Sequence, residues 1–411
     1  MLKPEDNEDL VRVGEGTPMG EYLRKFWQPV CRSEALVAGM APVRVGLLGR
    51  KLVAFRSPNG EVGVLDELCP HRRTSLALGR NEEGGIRCIF HGWKFSPEGE
   101  LIEAPTESED RHDSFCAKVK MAKFPVKEKG GAVWVYLGKG EVPEFPEFEW
   151  NSVPAESLDI RIAVIHCNWL QGLEAVLDSA HLAFLHSGQV NKQITNDFRL
   201  GIAGPPAFEV DETEYGFREA AIRKMPDGEQ YVKVREFAAP FYSFIPGFPE
   251  NPDRKMVMAS VPIDDEWVAQ WHFYYNVNGT FTEEELDGRW IFAGPDKNDF
   301  YDNPGGFENM WGQDREAMAK GHFSGFPKRH IYIEDFIVQE AMGPIVDRSK
   351  EYLSQSDMPI IYARRKLLAA ARGYLKTGAV WGQDGMTGQA YKNVRSQAFM
   401  CPADADWKAE A

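Results

Sequence analysis

Long apolar runs, frequent cysteines and an excess of basic residues are all missing from this chain of 411 residues. No segment approaches the roughly 18 consecutive apolar residues that mark a transmembrane helix. The first residues also lack the apolar core of a secretory signal. Six cysteines are too sparse for the disulfide scaffold of a small secreted domain. Together these absences predict a cytoplasmic protein with reduced thiols and no membrane partner.

Basic charge is scarce as well, since 47 Lys and Arg stand against 62 Asp and Glu, for a net charge of −15 at pH 7. Such an acidic balance argues against nucleic acid as a partner. It leaves anionic small molecules open, because one buried arginine decides their binding locally. With 43% hydrophobic and 27% charged residues, the composition is that of an ordinary globular protein. The length predicts two or three domains.

Three parts of the chain differ in pattern, and together they predict an α+β fold. Residues 1–40 read as a helical lead-in, with a capping Thr-Pro and aromatic residues at helical spacing. Residues 41–148 contain short apolar segments separated by turn residues, which is typical of a small antiparallel β domain. Residues 149–411 mix both kinds of segment. The elements predicted there are helices over 170–185 and 359–375, and strands over 231–237, 255–261 and 268–277.

Two short loops in the predicted β domain each pair one cysteine with one histidine. Cys69 precedes His71 by two residues, and Cys88 precedes His91 by three. A zinc finger usually takes both cysteines from one arm and both histidines from the other. One of each per arm instead suits two metals, one held by thiolates and one by imidazoles, as in a Rieske [2Fe–2S] centre. Zinc, or four unrelated buried residues, are the alternative interpretations.

A second group of metal-ligand residues lies in the predicted helix 170–185. On a straight helix Glu174, Asp178 and His181 share one face, at steps of four and three residues. His186 is five residues beyond His181, so it turns away from that face. Both histidines can therefore bind one metal only if the helix ends or bulges near Phe184.

Two histidines need a carboxylate to complete the facial triad of non-haem iron(II). Asp335 is the best distant candidate, because it lies in an otherwise apolar segment where an unpaired carboxylate is costly. Glu334 is the competing choice. Asp178 is better suited to accept the other N–H of His181. If it also accepted a bond from a cluster imidazole, it would form a polar bridge between the two metal sites. A polar helix face without iron is the alternative.

These two groups together resemble the Rieske non-haem iron aromatic-ring oxygenases, and more narrowly their phthalate dioxygenase-like branch. The resemblance covers almost the whole chain. It implies an N-terminal Rieske β fold and a C-terminal catalytic domain of the helix-grip (START/Bet v1-like) type. The segments that carry the closer resemblance are 12–21 (RVGEGTPMGE), 27–30 (WQPV), 167–171 (CNWLQ) and 339–348 (QEAMGPIVDR).

The resemblance also implies partners. Members of the family form trimers, sometimes stacked in pairs, and the cluster of one subunit serves the iron of its neighbour. Asp178 would then bridge His181 to His91 of the partner subunit. Electrons come from NADH through a reductase, with a ferredoxin domain or a separate ferredoxin. This chain has no Gly-rich nucleotide fingerprint and should depend on that partner.

Two positions depart from the family pattern. Many ring dioxygenases carry Asn where this chain has Glu174, so no role is transferred to that residue. The branch often has Gly-Gly in place of Ala175 and Val176, a change that would reshape the pocket.

The expected function is the terminal oxygenase component, which uses O2 and electrons from NADH to hydroxylate an aromatic compound. An aromatic carboxylate is the expected substrate, and the sequence does not separate ring dihydroxylation from oxidative O-demethylation. A Rieske electron carrier with a structural C-terminal domain is the competing function, and a zinc-stabilised binding module is the third. The arginines considered for the substrate carboxylate are Arg199, Arg218, Arg223 and Arg235.

Overall fold

The computed structural model describes residues 2–188, 206–283, 286, 305–327 and 331–410. Within the described residues, both helices and strands are present, and the strands pair antiparallel. The α+β class predicted from the sequence is confirmed. The helices are α1 Pro4–Val11, α2 Pro18–Leu23, α3 Glu109–Cys116, α4 Trp169–Leu177, α5 Arg315–Ala319, α6 Ile331–Ala341, α7 Met358–Thr377 and α8 Trp407–Glu410. Among these helices, none has both the length and the apolar character needed to cross a membrane.

The N-terminal part of the chain is built from ten short strands in three small sheets, ordered β1-β10-β9, β2-β3-β4 and β5-β6-β7-β8. A small separate core, which includes both cluster cysteines, lies among the last two of these sheets. The strands are β1 Trp27–Arg32, β2 Val43–Leu47, β3 Arg50–Arg56, β4 Val62–Asp66, β5 Arg80–Glu82, β6 Gly85–Arg87, β7 Lys94–Phe95, β8 Leu101–Glu103, β9 Val126–Lys129 and β10 Ala132–Tyr136.

Residues 1–40, predicted as a helical lead-in, are α-helical only as far as Leu23, and a single 3-10 turn follows later at Ser33–Ala35. Strand β1 follows and pairs with β10, so that Trp27 lies opposite Tyr136. The aromatic residues at helical spacing misled the prediction here, because Trp27 contributes its indole to a sheet core beside Phe145.

One large antiparallel sheet dominates the C-terminal part, in the order β11-β17-β16-β15-β14-β13-β12, with β18 paired to β14. Helix α4 packs on β16 and β17 and against α6, so both helices cover the same region of the sheet. The strands are β11 Leu158–Ile165, β12 Ala207–Thr213, β13 Gly216–Lys224, β14 Glu229–Ala238, β15 Tyr242–Ile245, β16 Arg254–Pro262, β17 Val268–Asn276 and β18 Gln397–Pro402.

Glu174 lies in α4 at the centre of a buried ion-pair network. It accepts hydrogen bonds from Arg348 (Nε to Oε1, 3.0 Å) and from Arg364 of α7 (Nε to Oε1, 2.6 Å), which also pairs with Glu351. Burial favours the neutral acid, but the two guanidinium groups outweigh it and lower the pKa of Glu174. Among the basic residues of α7, Arg364 therefore lies inside the protein, where it is 4% exposed.

We expect Glu174→Gln to destabilise the fold by about 3–5 kcal/mol, because it leaves two buried guanidinium groups without their shared carboxylate. The free energy of unfolding in urea measures the effect. Glu8→Gln is the matched control, since Glu8 pairs with Arg12 at the surface. A surface pair contributes about 0–1 kcal/mol. Equal losses in the two variants would contradict a structural role for the Glu174 network.

Candidate metal centres

The two loops that carry Cys69 and Cys88 have the same internal hydrogen bonds. In each, the cysteine amide donates to the carbonyl five residues on, and the amide four residues on donates back to the cysteine carbonyl, all at 2.8–3.0 Å. The residue four positions after each cysteine has a positive φ, 61° at Arg73 and 76° at Gly92. A positive φ is uncommon for a residue with a side chain, so the loop geometry imposes this conformation on Arg73.

This shared turn brings the four predicted cluster ligands together. Cys69 and Cys88 are buried, and burial together with the neighbouring Cys88 thiol raises the pKa of Cys69 to about 11. The rings of His71 and His91 lie 4.3 Å apart, and His71 stacks on Trp93 at 4.4 Å. Within the described residues, the buried Nδ1 of His71 has no hydrogen-bond partner. Two thiols, two imidazoles and an unpaired ring nitrogen fit the ligand set of a Rieske cluster.

The second group of ligands converges because α4 ends earlier than predicted. The helix ends at Leu177, and a short 3-10 turn begins at His181. Both histidines then face Asp335 of α6, whose Oδ1 lies 3.4 Å from Nε2 of His181 and 3.1 Å from Nε2 of His186. One ligand atom from each of these three residues lies within 4.8 Å of the others. This arrangement fits a metal held on one side, with open positions on the other.

Each of the two imidazoles has a carboxylate behind it. Nδ1 of His181 lies 3.5 Å from Asp178, and Nδ1 of His186 lies 2.8 Å from Glu334. Burial disfavours the charged ring, but Asp335 and Glu334 together raise the pKa of His186 to about 9. A proton must therefore leave His186 before a metal binds.

Glu334, considered above as a rival ligand, lies behind His186 and is not one of the three converging ligands. It is fully buried, accepts a hydrogen bond from the Ser324 hydroxyl and pairs with His186. Successive residues of a helix point about 100° apart, so only one member of the Glu334–Asp335 pair can face the two histidines. The adjacency of Glu334 and Asp335 on one helix was the signal in the sequence that the two carboxylates have different roles.

We expect Glu334→Gln to weaken iron binding at this site by about 10–100-fold, the usual cost of losing a carboxylate behind a ligating histidine. The iron bound per chain, titrated against a chelator, measures the change. Glu340→Gln is the matched control, since Glu340 is buried on the same helix and accepts hydrogen bonds from Trp311 and from the backbone of His166. An unchanged affinity in Glu334→Gln would contradict the orienting role.

Two buried arginines hold the segment that carries Asp178. Arg235 of β14 donates to the carbonyls of Val176 and Leu177, both at 2.6 Å, and pairs with buried Glu219 at 2.8 Å. Arg223 of β13 donates to the Ser179 carbonyl at 3.2 Å. The sheet therefore fixes the place where α4 ends, which the sequence of the helix alone did not reveal.

These contacts change the role of the arginines considered for a substrate carboxylate. Arg235 and Arg223 bind backbone carbonyls, and Arg218 pairs with the buried Glu236 at 3.0 Å. Arg199 lies outside the described residues. The aromatic side chains of Phe237, Phe241 and Phe244, close to Arg235 in sequence, belong to the hydrophobic core.

Comparison with known families matches two stretches of the chain. Residues 26–125 match the Rieske [2Fe-2S] domain, and residues 135–411 match the family described as LigXa C-terminal domain like.

Curated relatives match over almost the full length. The chain is 36% identical to the 3-chlorobenzoate-3,4-dioxygenase oxygenase subunit of Comamonas testosteroni, covering 99% of this chain and 97% of the relative. It is 37% identical to the phthalate 4,5-dioxygenase oxygenase subunit of Pseudomonas putida, covering 99% and 94%. It is 32% identical to the 5,5'-dehydrodivanillate O-demethylase oxygenase subunit of Sphingobium sp. (strain NBRC 103272 / SYK-6), covering 90% and 80%.

Solved structures share the fold at low sequence identity. Dicamba monooxygenase bound to dicamba superposes with a TM-score of 0.62 at 17% identity, over 87% of this chain and 99% of that one. The NdmA QL mutant of Pseudomonas putida CBB5 with caffeine gives 0.60 at 18% identity, over 94% and 99%.

Proposed function

This chain belongs to the Rieske non-haem iron oxygenases, in their phthalate dioxygenase-like branch, and we propose that it oxygenates an aromatic carboxylate at the His181–His186–Asp335 site. The observation that carries the proposal is the convergence of these three side chains in a chain that also has both cluster loops. A Rieske electron carrier needs only the two cluster loops and has no use for a second metal site. The carboxylates behind both histidines, buried Glu334 and partly buried Asp178, also support a built metal site rather than a polar surface.

The site residues divide the work between two groups. Cys69, His71, Cys88 and His91 would hold the [2Fe–2S] cluster, and His181, His186 and Asp335 would hold the mononuclear iron. When bound, these metals supply electron storage and O2 activation. The chain itself contributes position and fixed histidine orientations.

Asp178 is the proposed link between the two groups. Its Oδ1 accepts the Ala180 amide at 2.6 Å, and its Oδ2 faces His181. Although burial favours the neutral acid, the bond to His181 and the other nearby donors keep the pKa of Asp178 below its ordinary value. An ionised carboxylate is suited to accept a second bond from His91 of the partner subunit. We propose a homotrimer, or stacked trimers, on this basis.

A reductase that takes electrons from NADH, with or without a separate ferredoxin, is the proposed donor. We place the chain in the cytoplasm, where the thiols stay reduced, because all six cysteines are free and two are needed as cluster thiolates. The division into 1–40, 41–148 and 149–411 remains our proposal for the domains. It assigns the cluster to the second part and the mononuclear iron to the third.

The substrate class rests on the relatives. Two have names that specify a benzoate or a phthalate, and a third is an O-demethylase. We therefore propose an aromatic acid, attacked at the ring or at a methoxyl group.

Turnover with NADH, a reductase and a panel of aromatic acids tests the proposal. Formaldehyde release identifies O-demethylation, and a cis-diol or catechol identifies ring attack. Iron analysis of the same sample should find one more iron per chain than the two of a Rieske carrier. A chain that holds only the cluster iron and turns over none of the acids would be a carrier.

A further inference from the structure

A loop between α5 and α6, residues 322–326, lies behind the proposed iron site and is fixed to α5. The amide of His322 donates to the Ala317 carbonyl at 3.0 Å. The Gly325 carbonyl accepts the Asp314 amide at 2.8 Å, and the Gly325 amide donates to Nδ1 of His322 at 3.1 Å. The 322–326 loop is therefore joined to α5 near both of its ends.

Ser324, in the middle of this loop, has a hydroxyl group with a fixed direction. The side chain is buried, and its oxygen accepts the Phe326 amide of the same loop at 3.3 Å. The O–H group donates to Oε1 of Glu334 on α6. The other carboxylate oxygen of Glu334, Oε2, lies 2.8 Å from Nδ1 of His186. One buried carboxylate thus joins the loop to a proposed iron ligand, with one oxygen for each partner.

The 322–326 loop also contacts the chain segment on both sides of His186. The ring of Phe323 lies 5.9 Å from that of Phe184. Gly188 lies so close to the ring of His322 that a Cβ atom at this glycine would be 2.6 Å from Nε2 of the histidine. The loop therefore supports His186 in two ways, through the backbone segment that carries it and through the carboxylate behind its imidazole.

We propose that Ser324 is a positioning residue of the mononuclear iron site, which acts through Glu334 on the orientation of His186. The inference rests on the proposed function and adds the 322–326 loop to the parts of the chain that hold the metal. The last side-chain torsion of a glutamate has a broad energy minimum, so a single partner leaves the carboxylate plane free to turn. A second hydrogen bond, to the other oxygen, fixes that plane and with it the imidazole.

The affinity of the full chain for Fe(II) tests the proposal, with Fe(II) titrated against a chelator into protein that keeps its cluster. We expect Ser324→Ala to weaken Fe(II) binding about 10-fold, at the lower end of the cost of losing a carboxylate behind a ligating histidine. Ser260→Ala is the matched control, since Ser260 is also buried and its hydroxyl donates to the Gln270 side chain at 2.9 Å. The control should bind Fe(II) as the wild type does.

A second background separates positioning from a general effect on the fold. Glu334→Met keeps the approximate size of the side chain but removes both carboxylate oxygens, so Ser324 can no longer act on His186 through them. The loss of affinity caused by Ser324→Ala should then disappear, and the two substitutions should be non-additive. The same loss in both backgrounds would mean that Ser324 only stabilises the loop, and it would overturn the proposal.

Two further results would also overturn it: wild-type affinity in Ser324→Ala, or an equal loss in Ser260→Ala. If Ser324→Ala does not fold, Ser324→Cys takes its place, since a thiol is similar in size but only a weak donor. Ser324→Cys should bind Fe(II) more weakly than the wild type, and equal affinity contradicts the positioning role. A wild type that binds no iron beyond the two of the cluster contradicts the proposed function itself. A wild type that binds the additional iron, with no effect of the Ser324 substitutions, contradicts this inference alone.

Discussion

Asp335→Ala is expected to abolish oxygenation while the cluster remains bound. The change removes the carboxylate that both His181 and His186 face, at 3.4 and 3.1 Å. Losing a residue that merely orients a ligand costs about 10–100-fold, so losing the ligand itself should cost at least about 100-fold in turnover. Iron per chain, cluster absorption and product formation measure the three parts of this expectation.

Asp314→Ala is the control for this experiment. Asp314 is an exposed aspartate that caps α5 by accepting the amide of Ala317, so its loss removes a carboxylate without touching the three ligands. Iron should fall in Asp335→Ala and stay unchanged in the control. Full iron content and normal turnover in Asp335→Ala would exclude Asp335 as an iron ligand. Glu334 would then be the remaining candidate for the carboxylate ligand.

Asp178→Asn is expected to stop turnover while both metals remain bound. The amide is nearly isosteric, but it carries no charge and offers an N–H where the carboxylate accepted one. It therefore cannot accept from imidazoles on both sides. In serine proteases the same change behind a histidine costs about 10,000-fold because the ring adopts the wrong tautomer. The reoxidation of a chemically reduced cluster in the presence of O2 and substrate measures the electron step directly.

The same measurement separates two roles of Asp178. If cluster reoxidation slows while iron content stays at the wild-type level, the carboxylate carries the path between the metals. If turnover falls only in proportion to a loss of iron, Asp178 merely orients His181. Wild-type turnover in Asp178→Asn would contradict both the electron-path role and the orienting role of Asp178. Asp347→Asn, at an exposed 3-10 cap, is a suitable control for the loss of one aspartate charge.

The sequence predicted regular elements better than it predicted the ends of elements. The strands predicted over 231–237, 255–261 and 268–277 agree with β14, β16 and β17 to within about two residues, because buried apolar runs mark them. The helix predicted over 170–185 stops at Leu177 instead. Its end depends on Arg223 and Arg235, which come from strands more than 40 residues away.

The residues that could hold metal were visible because ligand types are few and their spacing is restrictive. What supports them was not visible. The pairing of Glu334 with Ser324 and His186, and of Glu174 with Arg348, joins residues distant in sequence, and only the fold brings them together.

The matching cluster loops have a consequence for the direction of electron flow. The two loops have the same backbone hydrogen bonds and form a local pseudo-twofold repeat. This repeat places the two thiols next to each other and the two imidazoles next to each other. The thiols of Cys69 and Cys88 are at the sealed end, and the rings of His71 and His91 are at the half-exposed end. A two-metal group held this way would be polar, with one end closed to solvent and the other open. An electron acceptor should therefore approach the cluster from the side of the two imidazoles. Substitutions near the two thiols should change the reduction potential of the cluster without changing how the acceptor docks.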